Sequence, residues 1–177
     1  MKRIRYCVAM SLDGYIAGPK GEADWIIMDP EIDFRAIFAQ FDTLLIGRKT
    51  YEAMRKQHGG GGGGGMGMQS YVFSRTLKPK DVKGSTLVSE NAKELLTDLK
   101  KKDGKDIWLW GGGELFASLL ELGVVDTVEV AVVPVVLGGG VPLVPAPARK
   151  AKLELTSNKV YKKTGIVSLE YAIKRAK

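Results

Sequence analysis

The chain has 177 residues, 45% apolar and 27% charged, with 27 Lys and Arg against 20 Asp and Glu for a formal net charge of +7. This balance suits one ordinary folded domain, expected to span residues 1–177, and excludes a disordered or fibrous chain. The basic residues are scattered, with small clusters at residues 100–102 and 174–177 and no basic stripe interleaved with aromatics. Nucleic acid is therefore not an expected partner, and most lysines read as solvated surface.

The one cysteine, Cys7, has no partner for an internal disulfide and no metal-ligand spacing around it. It is expected as a buried strand thiol in a reducing, cytoplasmic setting. The basic start Met1-Lys2-Arg3 is followed by a short apolar stretch that stops at Asp13 without a small-residue cleavage site, so no signal peptide is expected. No window approaches the roughly 18 consecutive apolar residues of a membrane helix. His58 is the only histidine; one histidine cannot build a metal site, so it reads as an exposed loop residue and no metal is expected.

In chain order, residues 3–9 predict a first strand and residues 11–25 a loop marked by Asp13-Gly14, Gly18-Pro19 and Gly21. Pro30 precedes a helix over residues 31–40, with Phe34, Ile37, Phe38 and Phe41 at helical spacing. A short strand at 43–46 leads into a helix at 49–57. The glycine run 59–65 reads as a surface loop; it lacks the trailing Lys-Ser/Thr of a phosphate-binding loop. Strands follow at 70–73 and 85–88, and then Asn91 with Glu94 forms a capping box that opens a helix carrying Leu95, Leu96 and Leu99. A strand at 107–110 and a helix at 114–122 precede a long β-branched run, 124–136, which reads as a buried or partner-covered strand. Residues 152–161 and 166–173 alternate as a final antiparallel pair. Strands alternating with helices, then strands alone, predict an α/β fold with a mostly parallel central sheet, antiparallel C-terminal strands and flanking helices. Ligands on such sheets sit at the carboxyl ends of the strands.

Three motifs fall at those ends. Gly47-Arg48-Lys49-Thr50-Tyr51-Glu52 follows a strand and opens a helix, where free N–H groups and basic side chains suit phosphate oxygens. The plain alternative is a strand-to-helix turn with exposed bases. Ser74-Arg75 follows the next strand and suits a single phosphate, such as the one that separates NADP from NAD. Gly111-Gly112-Gly113-Glu114-Leu115 lets a pyrophosphate approach the backbone at a helix start, without the spaced glycines of a Rossmann fingerprint. Together they ask for an extended, multiply charged cofactor across one sheet edge.

In this order the three motifs resemble the NADPH site of the dihydrofolate reductase superfamily. Met10-Ser11-Leu12-Asp13-Gly14-Tyr15-Ile16-Ala17 and Val133-Pro134-Val135-Val136-Leu137-Gly138-Gly139-Gly140-Val141-Pro142-Leu143 further resemble the reductase domain of the riboflavin-pathway deaminase–reductase and its stand-alone relatives. The resemblance implies a three-layer dihydrofolate-reductase-like fold and NADPH as cofactor. It places Ala9, Ile16 and Gly47 beside the cofactor and Arg48, Lys49 and Thr50 at its phosphates. Ser74 and Arg75 fall at the 2′-phosphate, and Gly111, Gly112, Gly113, Glu114 and Leu115 around the pyrophosphate and nicotinamide. The deaminase half and its zinc ligands are absent, and residues 25–41 carry only Arg35 where the riboflavin enzymes have a His/Arg-rich segment.

Candidate catalytic groups are Glu31 and Asp33, as the first-helix carboxylate a dihydrofolate reductase needs, and Asp13 in the loop over the nicotinamide. The plain readings are acidic residues favouring a helix dipole and an Asp-Gly turn. Trp25, Phe34 and Tyr51 are expected to line the substrate pocket with Ala9, Asp13 and Ile16, and Ile16-Ala17 to close as a mobile loop. The expected activity is hydride transfer from NADPH to a small heterocyclic or sugar-like substrate. The alternatives are a dihydrofolate reductase and a non-catalytic nucleotide-binding protein. A homodimer is expected to cover the apolar run 124–136, with residues 134–147 crossing the interface.

Overall fold

The computed structural model describes residues 1–57 and 67–174; His58 and the glycine run 59–65 lie outside them. The elements are β1 (Ile4–Ser11), β2 (Tyr15–Ala17), α1 (Phe34–Phe38), β3 (Phe41–Gly47), α2 (Arg48–Gln57), β4 (Gln69–Phe73), β5 (Thr86–Val88), α3 (Ala92–Lys101), β6 (Asp106–Gly111), α4 (Gly113–Glu121), β7 (Thr127–Val133), β8 (Val141–Pro142), β9 (Lys152–Tyr161) and β10 (Ile166–Lys174). An eight-stranded sheet runs in the order β5-β4-β3-β6-β1-β7-β10-β9. Its pairings are parallel from β5 to β7. Only β10 runs antiparallel, to β7 on one side and β9 on the other.

Period-two alternation divides the central strands between two helical layers. Ile4, Tyr6, Leu45, Ile107 and Leu109 pack with Leu96 and Leu99 of α3 and Leu115, Phe116 and Leu119 of α4. Phe41, Leu44, Ile46 and Trp108 pack on the opposite face with Phe38 of α1 and Tyr51 and Met54 of α2. Each large side chain buried this way contributes about 1.5–3 kcal/mol. Tyr6 also stacks on Phe116 with ring centroids 4.1 Å apart. This is the three-layer α/β arrangement with a largely parallel sheet that the residue pattern and the resemblance imply.

Several local expectations are corrected. The first helix spans only Phe34–Phe38, because Asp33 caps it, accepting from the Ala36 N–H at 2.9 Å. The preceding residues instead turn around buried Asp29, whose carboxylate accepts from Glu31 N at 2.8 Å and from Thr164 Oγ1 at 2.6 Å. Asn91 does not form the capping box. Its backbone is left-handed (φ 52°) and its side chain makes no cap bond, so the helix is served by its carbonyl, which accepts from Leu95 N. Two lysines are not surface residues. Lys2 is buried against Asp42 and Thr43, and Lys100 is buried with Nζ 2.8 Å from Asp126 and 3.2 Å from the Val124 carbonyl.

The apolar run 124–136 is mostly interior, with Pro134 and Val136 exposed past the end of the strand. Its strand, β7, lies between β1 and β10, so the same chain covers it and it offers no edge for a dimer to hide. Residues 11–25 are also more ordered than a loop. β2 pairs with β8, Leu12 N donates to the Val135 carbonyl and Leu143 N to the Gly14 carbonyl. The two segments 10–17 and 133–143 thus fold against one another within the chain. A Cβ on Gly140 (φ +141°) would stand 2.1 Å from the Ala17 carbonyl oxygen, which is why glycine occupies that position.

Candidate active site

The carboxyl ends of the parallel strands border a cleft of about 1150 Å³. Three turns shape its polar half. At the first, α2 starts at Arg48 with no intervening loop, so its first N–H groups lack intrahelical partners beside the cleft. Arg48 pairs with Glu52 at 3.0 Å and Lys49 with Glu114 at 2.6 Å, so both cations are already balanced by carboxylates. At the second turn, Ser74 is buried and its Oγ accepts from Thr76 N at 3.1 Å and Leu77 N at 3.0 Å. Ser74 therefore shapes the turn that presents Arg75. Arg75 is exposed and, among the described residues, has no hydrogen-bond or ion-pair partner.

At the third turn, extended Gly112 precedes α4 without a capping side chain. Added Cβ atoms on Gly111 and Gly112 would stand 3.7 and 3.5 Å from Thr50 Oγ1, filling the notch between the β3 and β6 ends. A Cβ on Gly113 would meet the Pro142 carbonyl oxygen at 2.5 Å. The triplet is thus required partly by an open cradle and partly by close packing of the β8 segment. Glu114 is an exposed ion-pair partner, and Leu115 borders the cleft while its side chain enters the core. Ala9 and Ile16 complete the wall beside these turns. All thirteen expected cofactor-side residues border this one cleft.

The expected catalytic and substrate residues do not come together there. The Asp13 carboxylate accepts from Leu137 N at 3.1 Å and Gly138 N at 2.8 Å, latching the β1–β2 turn to the later segment. The Ser11 hydroxyl and these N–H groups, against a smaller opposing effect of burial, hold its pKa below the ordinary value. Glu31 is exposed near Lys159 at 3.8 Å, and Asp33 is the α1 cap. Tyr51 is 1% exposed and its hydroxyl donates to the Asp81 carbonyl, since the helical phase after Arg48 turns it into the core. Trp25 donates Nε1 to the Glu22 carbonyl, and Phe34 packs toward Phe38 with centroids 6.1 Å apart.

The residues that do wall the other half are Cys7, Ile26, Met54 and Trp110. The signal for Trp110 was available: it lies two residues after Trp108 on one strand face, directly before the glycines. The Cys7 thiol is held well above its usual pKa, first by burial and then by Glu129, whose Oε2 lies 3.3 Å away. Among the described residues no group of His, Cys, Asp and Glu could hold a metal ion, and no helix is long and apolar enough to cross a membrane.

Comparison with known proteins agrees with this geometry. A Bacillus subtilis (strain 168) protein, YyaP, uncharacterized by name, is 35% identical, the match covering 96% of this chain and 94% of that one. A solved structure from Shewanella sp. PV-4, assigned by its name to riboflavin biosynthesis, superposes with a TM-score of 0.81 at 26% identity, covering 99% and 100% of the two chains. Dihydrofolate reductase from Enterococcus faecalis, solved with NADP(H) and an added compound, superposes with a TM-score of 0.70 at 17% identity over 98% of this chain and 97% of that one. The model of the RibD C-terminal domain matches residues 2–167, and the chain belongs to that family.

Proposed function

We propose that this chain is an NADPH-dependent reductase acting on a small heterocyclic or sugar-like substrate, of the kind reduced by 5-amino-6-(5-phosphoribosylamino)uracil reductase. The observation that carries the reading is the convergence of three phosphate-compatible turns on one cleft, with Arg75 exposed at the second and, among the described residues, unpartnered. NADPH would be held by the N-terminus of α2, by Arg75 on the turn fixed by Ser74, and by the Gly111–Gly112 cradle before α4. When bound, it supplies a hydride. The chain contributes position and a largely apolar wall. Glu114, the one carboxylate among the described residues bordering the cleft, is tied to Lys49, so no side-chain acid is assigned and the proton is taken to come from water. A dihydrofolate reductase would need Glu31 or Asp33 in the cleft, and both carboxylates are engaged elsewhere.

We place the protein in the cytoplasm, on the strength of its single free thiol. We also propose a homodimer formed through β9, the longer of the two edge strands of the sheet, where Leu153, Leu155 and Val160 are exposed. Steady-state oxidation of NADPH, followed by nicotinamide absorbance, tests the enzyme reading with the riboflavin-pathway pyrimidine and dihydrofolate as first substrates. The reading expects NADPH turnover with a heterocyclic substrate and a raised KM for NADPH in Arg75→Ala. NADPH binding without oxidation by any substrate tried would favour a non-catalytic nucleotide-binding protein.

A further inference from the structure

We infer that the second half of the cleft takes an uncharged, flat aromatic or heteroaromatic ring stacked on Trp110, and that it does not receive a ribose phosphate. This rests on the reading that the turn-lined half holds the nicotinamide cofactor. A row of rings runs under the sheet face from Phe41 through Trp108, 5.5 Å apart, to Trp110 at 5.6 Å. Phe38 stacks on Trp108 at 5.3 Å from the helix side. Trp108 is fixed in the row, since it is buried and its Nε1 donates to the Cys7 carbonyl at 3.0 Å. Trp110 ends the row half-buried. Among the described residues its only ring contact is Trp108, and its indole N–H makes no hydrogen bond. An aromatic surface of this kind at a cleft wall gains from a second ring laid against it, and its free N–H asks for an acceptor on that ring.

The charge pattern decides between classes of ring. Among the described residues bordering the cleft the cations are Arg48, Lys49 and Arg75, all on the first two turns. The other described residues that line the cleft, Cys7, Ala9, Ile26, Met54 and Trp110 among them, carry no charge apart from Glu114. Arg35, the one base in residues 25–41, is exposed and does not border the cleft. Arg5 lies nearby on β1 but is held at 2.7 and 2.6 Å by both oxygens of Glu129. A phosphate brought to this wall would lose its hydration with no cation to replace it, which is a heavy cost for a dianion. A neutral ring loses little and gains the stack.

A pair of probes tests this: lumichrome, a neutral tricyclic ring, and riboflavin 5′-phosphate, a closely related tricyclic ring with a charged phosphate chain. Binding of each is followed by fluorescence polarisation with the wild-type chain, Trp110→Ala and Arg75→Ala, with and without saturating NADP+. The expected result is saturable lumichrome binding that weakens about tenfold or more in Trp110→Ala and is unchanged in Arg75→Ala, with no gain in affinity from the phosphate chain while NADP+ is present. The inference is overturned by absence of saturable lumichrome binding, by an unchanged affinity in Trp110→Ala, or by riboflavin 5′-phosphate binding tenfold tighter than lumichrome in the presence of NADP+. Trp110→Phe, which keeps a stacking surface, should recover most of the lost affinity. The cofactor reading is scored separately by calorimetric titration of NADP+ into the same variants: it fails if wild type does not bind, whatever lumichrome does.

Discussion

Arg5 and Glu129 show how single residues carry both fold and pH behaviour. The two lie on adjacent strands, and Glu129 also accepts from Thr127 Oγ1 at 2.8 Å. Burial alone would raise the Glu129 carboxyl, but the hydrogen bonds and charge of Arg5 outweigh it and hold the pKa below the ordinary 4.5. A group lowered in the folded state stabilises the fold above its unfolded pKa, and that contribution is lost as pH falls through the lower folded value. Glu129→Gln should therefore cost about 3 kcal/mol near neutral pH, as expected for breaking a buried pair. The gap to wild type should narrow as pH drops below about 4.5. Urea unfolding at a series of pH values checks this; a gap that stays constant down to acid would contradict it. At this scale the cofactor side was legible because Arg48, Ser74 and Arg75 directly follow strands, where chain direction fixes their place. Glu31, Asp33 and Tyr51 were not, because a shift of one or two residues in a helix start rotates a side chain to another face.

The elements around the cleft are joined by backbone contacts that composition conceals. β2 and β8 are too short to show a period, and their pairing brings together two glycine-bearing segments more than a hundred residues apart in sequence. The motifs could be recognised from residue order, yet their mutual contact could not, because it depends mostly on backbone groups, with the Asp13 carboxylate as the one side-chain latch described above. Gly113 is the sharpest case: an added methyl would press on the Pro142 and Leu143 carbonyl oxygens at 2.5 and 2.9 Å. Gly113→Ala should lower stability by about 1–3 kcal/mol through this overpacking. It should also weaken cofactor binding, because the displaced strand borders the cleft. Thermal melts with and without NADPH check both effects, and an unchanged midpoint would show that the β8 segment yields without cost. By contrast, residues 107–110 and 114–122 were read close to β6 and α4, since strong periodicity in a buried strand or a one-faced helix leaves little freedom of placement.

For the whole molecule, the parallel sheet with its antiparallel end followed from the order of elements, while the location of its edge did not. A long β-branched run looks the same whether it is covered by a neighbouring strand or by another chain, and here β10 covers β7. The edge strands are β5 and the longer β9, whose residues Lys152–Val160 are exposed on both faces. If a second copy pairs along it, Leu155→Lys with Val160→Lys should shift the chain from dimer to monomer in light scattering without lowering cofactor affinity. A wild-type chain that is already monomeric would remove the dimer. The claim on which the rest depends is that the three turns hold NADPH, and that Arg75 reads its 2′-phosphate. Calorimetric titration of NADPH and NADH into wild type and Arg75→Ala tests it most directly. NADPH should bind at least tenfold tighter than NADH, an advantage worth about 1.5–3 kcal/mol for a charge-assisted contact, and Arg75→Ala should remove that preference while leaving NADH nearly unchanged. Equal binding of the two nucleotides, or an intact preference in the variant, would contradict the account.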